Sequence, residues 1–158
     1  MKIIKNPLSL CSVLLFPFLS SCDSKMVFEK NEKIPDAIWN ADNKIIFETN
    51  ISDTISLHNF YINIRSSGDY QFSNLYVFVD IFSPDSKIQH DTIECILTDA
   101  QGRWLGKSGS GSVWDNHILF KKNVRFPRSG KYVFRFEQAM RTKELEHILD
   151  VGLRIEKE

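Results

Sequence analysis

Several groups of residues in this sequence have side chains capable of chemistry, and spacing decides what each could do. Gly106-Lys107-Ser108 has the ending of a phosphate-binding loop, in which backbone N–H groups cradle a phosphate and the lysine reaches it. That motif needs another glycine five residues earlier, where Gln101 stands, and Gly102 is one residue too close. No helical pattern follows to turn an N-terminus toward phosphate, so a flexible loop of the kind that carries function is the reading left. His58, His90, His117 and His147 are scattered, with no pair at metal-ligand spacing. Asp80, Asp85, Asp91, Asp99 and Asp115 fall at expected strand ends and turns, where aspartate caps or forms Asx turns, and no EF-hand spacing is present. Glu94 and Glu137 would make an acid/base pair only if a sheet set them face to face. There is no nucleophile elbow, no His-Asp-Ser order and no Cys-His pairing. The chemistry therefore points to a non-catalytic domain without cofactor or metal. Trp104 and Trp114 flank one Gly- and Ser-rich loop, and exposed tryptophans serve glycan-binding sandwiches as stacking platforms, although loop anchoring is the plainer role. Together with Lys107 and Arg128 they are the candidate ligand or partner contacts.

One cysteine carries a different chemistry. Lys2 and Lys5 open the chain, Leu8 to Leu19 is a mainly apolar run interrupted by Pro17, and Leu19-Ser20-Ser21-Cys22 resembles a bacterial lipobox. Residues 1–21 then form a signal peptide, too short to span a bilayer, and Cys22 becomes the diacylglyceryl-bearing N-terminus. Residues 22–33, rich in Asp, Ser, Lys, Glu and Asn, read as a polar tether, and 34–158 as one domain of suitable size for a modest core. Cys11 would leave with the signal, so Cys95 has no partner; in register with Ile93 and Leu97, it is a buried, inert thiol. Twenty basic residues balance twenty acidic ones, and loss of Lys2 and Lys5 makes the remainder slightly acidic. With no block of like charge, nucleic acid is an unsuitable partner.

The elements that must position these residues are strands. Ile118 to Met140 sets two alternating apolar runs around Pro127-Arg128-Ser129-Gly130, a hairpin or a strand-to-strand corner. In its second arm Tyr132, Phe134 and Phe136 share one face and demand an opposing layer. Further strands are expected over 44–51, 57–65, 75–82, 88–97 and 151–155. The run 75–82 is apolar on both faces and should be central or covered on its second side. Trp39 reads as an anchor at the domain edge. Only Ala139 to Asp150, with Leu145, Ile148 and Leu149, has helical spacing, and it lacks a cap. The fold expected is an all-β antiparallel sandwich, jelly-roll or immunoglobulin-like, with at most one short helix.

The lipobox, Gly102-Arg103-Trp104-Leu105-Gly106-Lys107, Val124-Arg125-Phe126-Pro127-Arg128-Ser129-Gly130-Lys131-Tyr132, Gln138-Ala139-Met140-Arg141 and Asp150-Val151-Gly152-Leu153-Arg154-Ile155-Glu156 closely resemble the GldH family, gliding-motility lipoproteins of Bacteroidota. The resemblance covers essentially the whole chain. It implies an accessory protein lipid-anchored in the cell envelope and associated with the gliding motor and type IX secretion machinery; with no acidic cluster after Cys22 to suggest export to the cell surface, the domain is expected to face the periplasm. The resemblance brings no catalytic residue, and glycan or cell-wall binding is the alternative role.

Overall fold

The computed structural model describes residues 25–158, so the expected signal peptide and Cys22 lie outside the described residues. Eleven strands follow in order. They are β1 (Met26–Lys33), β2 (Ile38–Asn40), β3 (Ile45–Ile51), β4 (His58–Ser67), β5 (Asn74–Phe82), β6 (Ile88–Ile96), β7 (Lys107–Ser108), β8 (Val113–Val124), β9 (Gly130–Gln138), β10 (Glu144–Glu146) and β11 (Ile148–Lys157). A five-stranded sheet in the order β1-β11-β4-β8-β7 packs against a four-stranded sheet in the order β3-β9-β5-β6. Strands β10 and β2 make a small third sheet, and every pairing is antiparallel.

Alternation explains the layers. On β9 Tyr132, Phe134 and Phe136 are buried while Val133, Arg135 and Glu137 look outward. On β4 Phe60, Ile62 and Ile64 are buried, and on β11 Val151, Leu153 and Ile155. The rings mesh across the gap: Phe60 meets Phe134 edge-on at 5.7 Å, and Phe120 meets Phe136 at 6.3 Å. Cys95 is fully buried, and desolvation pushes its thiol up to about 12.

The turn at 127–130 is a corner rather than a hairpin, because β8 and β9 belong to different sheets. Phe126 plugs it, buried between His58, Phe60 and Tyr132 with centroids 4.8 to 5.3 Å away. The Tyr132 hydroxyl donates to the Arg128 carbonyl at 2.9 Å. Gly130 has φ 132°, and its Cα faces Pro84 so closely that a Cβ would lie 2.9 Å from the ring.

Two expectations need correction. Met26–Lys33 is no tether: it pairs with β11 along its length, from Met26 opposite Glu156 to Lys33 opposite Asp150. Its charged side chains hid a strand whose stability comes from backbone pairing at a sheet edge. Nor is Ala139 to Asp150 helical. Leu145 is buried between exposed Glu144 and Glu146, the period of a strand, and pairs with Trp39. The buried Gln138 amide organises the loop that follows it, donating to Thr142 O at 2.8 Å and accepting from Met140 N at 2.8 Å. A side chain that satisfies loop backbone in this way competes with the helix.

Candidate functional site

The open face of the five-stranded sheet is a polar trough of about 880 Å³. Register builds it in rows. Asn31, Gly152, Asn63 and His117 stand opposite one another across β1, β11, β4 and β8. The next row is Glu29, Arg154, Tyr61 and Leu119. On the other side lie Lys33, Asp150, Arg65, Asp115 and Lys107. Most of these groups hold each other. Asn63 Nδ2 donates to Glu29 and Asn31 at 3.1 Å, and Asn63 Oδ1 contacts His117 Nδ1 at 2.6 Å. Arg154 bridges Glu29 and Glu156, while Arg65 lies 3.3 Å from Asp115 and 3.8 Å from Asp150. The His117 imidazole stacks on Tyr61 at 4.2 Å. Desolvation, with Arg154 nearby, lowers its pKa, so it is neutral at pH 7 and suited to hydrogen bonding.

Gly106 has a packing reason. A Cβ there would fall 2.8 Å from Asn116 Oδ1 and from Asp115 O. Lys107 and Ser108 form the short strand β7 on the edge of β8. The glycine of the apparent phosphate motif therefore lets β7 approach β8. Trp104 and Trp114 stack with centroids 6.2 Å apart, and Trp104 is held opposite Thr98. The structure thus brings Trp104, Trp114 and Lys107 to one end of the sandwich. Arg128 is at the other, 3.4 Å from Asp85 in the β5–β6 turn. Trp39 is fully buried and donates to Asn43 O at 2.9 Å.

The outward face of the four-stranded sheet differs in character. Ile46, Tyr76, Phe78 and Ile88 are exposed there. At their centre Arg135 donates to Asp80 at 2.9 Å and lies over the Phe82 ring at 5.0 Å, with His90 on the second Asp80 oxygen. Burial alone would raise the Asp80 pKa, but the hydrogen bonds from Arg135 and His90 outweigh it and hold the carboxyl below its usual range. Strand β5 is central as expected, yet its second face stays open. Glu94 and Glu137 are no acid/base pair. They sit on β6 and β9 with β5 between them, Glu94 accepting from Asn74 and Glu137 paired with Lys44 at 3.0 Å. Among the described residues no three His, Cys, Asp or Glu gather to hold a metal. Sequence reasoning missed the trough because each of its rows is closed by a residue of β1, Asn31, Glu29 or Lys33; charge alternation over 29–33 was the available signal.

Comparison with known proteins covers nearly all of the described region. The family model for the GldH lipoprotein matches residues 26–155. The chain is 40% identical over 157 residues to a gliding motility lipoprotein GldH homolog of Christiangramia forsetii, covering 92% of this chain and 95% of that protein. It is 33% identical over 162 residues to the gliding motility lipoprotein GldH of Flavobacterium johnsoniae, covering 97% of each. No solved structure matches. With strands β1 to β11 falling almost entirely inside that family match, the chain belongs to the GldH lipoprotein family.

Proposed function

We propose that this protein serves gliding motility as a lipid-anchored envelope component acting by protein-protein contact, with Cys22 as the anchor and the sandwich facing the periplasm. Its partners are components of the gliding motor and type IX secretion machinery. The observation carrying this reading is the outward face of the four-stranded sheet, where Ile46, Tyr76 and Phe78 are exposed around the Asp80-Arg135 pair. Aromatic side chains beside a fixed arginine are the composition of a protein interface core. The test is complementation of Flavobacterium johnsoniae cells lacking their own GldH. The full chain should restore spreading, whereas Ile46→Ser/Phe78→Ser should reach the membrane in equal amount without restoring it. Normal spreading by that variant would overturn the assignment of the face.

A second reading, glycan or cell-wall binding, is favoured by the stacked Trp104 and Trp114 pair beside Lys107. Retention of the full chain on peptidoglycan, lost in Trp104→Ala, would support it; no retention would remove it.

A further inference from the structure

One end of the sandwich is built unlike the other. The Lys25 carbonyl accepts from Lys157 N at 2.8 Å, so β1 starts where β11 finishes. Lys157 stands opposite His58, and His58 opposite Val124, which places the loops 52–57 and 123–129 at the same end. Ile55 at the tip of the first loop is 81% exposed, the most exposed large apolar side chain among the described residues. Its position is braced. Asp53 accepts from Ile55 N at 3.0 Å and Ser56 N at 2.9 Å, and its other oxygen takes Lys157 Nζ at 2.7 Å. Arg125 Nε donates to Ile55 O at 2.9 Å. The acids here are largely offset: Lys157 holds Asp53, and Lys87 and Arg128 flank Asp85. Lys122 and Arg125 are exposed beside the tip, with Glu158 as the neighbouring acid.

We propose that this end rests on an anionic lipid surface, with Ile55 entering the headgroup region and Lys122 and Arg125 meeting lipid phosphates. The inference rests on the Cys22 anchor. Because β1 begins at Met26, four residue spacings separate it from Cys22, a reach of at most about 14 Å. An anchored body cannot stand clear of the bilayer on so short a lead. A protruding isoleucine ringed by arginine and lysine is the chemistry of interfacial binding, in which apolar insertion and attraction to anionic headgroups add. Strands then rise from the membrane, leaving both open sheet faces free to the side.

The lipidated full chain, reconstituted in vesicles of phosphatidylglycerol and phosphatidylcholine, tests this. A fluorophore is attached through Ile55→Cys, or through Ser110→Cys in the loop at the opposite end, Cys95 being buried. Quenching by a headgroup-borne nitroxide should be strong at position 55 and lost at 110. It should weaken with Lys122→Glu and in pure phosphatidylcholine. Chain that floats with vesicles but shows no more quenching at 55 than at 110 overturns the contact and leaves the anchor standing. Chain that fails to float removes the anchor, and the contact with it.

Discussion

His58 shows at the scale of one residue how burial sets a pH response. Its ring is fully buried against Phe126, neither nitrogen closes a hydrogen bond, and desolvation lowers its pKa. Between the depressed folded value and the ordinary value near 6.5 the unfolded chain binds more protons. Stability contributed by the neutral ring is therefore complete above about pH 6.5 and declines as pH falls below it, by at most about 1.4 kcal/mol per pH unit. Urea unfolding at pH 7.5 and 5.5 should show a larger loss for the parent chain than for His58→Phe. Equal losses would mean that the ring is charged or solvated in the folded state. Phe134, fully buried against Phe60, makes a simpler case: Phe134→Ala should lower stability by roughly 3 to 5 kcal/mol through the cavity it leaves. A loss under about 1 kcal/mol would contradict the packing described. Phe134 was legible from alternation, which put it on the core face, whereas His58 read only as one of four scattered histidines. That His58 would lack a hydrogen-bond partner was not legible, because its surroundings come from the corner at 123–129.

Among the elements, the edge strand β1 depends on one glycine. Gly152 lies opposite Asn31, and a Cβ there would fall 1.8 Å from Asn31 Oδ1 and 2.9 Å from Lys30 O. Gly152→Ala should cost about 1 to 3 kcal/mol, as overpacking does. Asn31→Ala should restore only part of it, because the Lys30 carbonyl remains; thermal unfolding of the single and double variants measures the coupling. Full additivity would show that the two positions do not touch. The same comparison explains where periodicity misled. Leu145 and Ile148 are three apart and read as one helical face, but they pack on separate strands, β10 against β2 and β11 against β4. Short strands joined by a single turn mimic helical spacing, and only the partner strand distinguishes them.

For the whole molecule, the two sheets form one body whose layers share a core, so the fold should not depend on the anchor proposed at Cys22. Cys22→Ala should move the protein from the membrane to the soluble fraction with an unchanged melting temperature, read by fractionation and by thermal unfolding of the released chain. Continued membrane association would place the anchor elsewhere. Among the described residues no helix is long and apolar enough to cross a bilayer. The two open faces divide the labour between them: the trough is internally satisfied by ion pairs, while the four-stranded sheet leaves apolar side chains in water. Exposed apolar area that the fold itself does not cover is what a partner covers.

Alternation along 44–51, 57–65, 75–82 and 130–138 by itself determined that this chain is a sandwich and which side chains enter its core, because burial on one face of a strand imposes a period of two. The lipobox proposed at 19–22 is a reading of sequence alone. Strand order, the pairing of charged Met26–Lys33 with β11, the corner that carries β8 and β9 into different sheets and the gathering of the trough's rows were decided only by the tertiary structure. Those features are set by backbone hydrogen bonds between distant segments, which any side chain permits and few side chains announce.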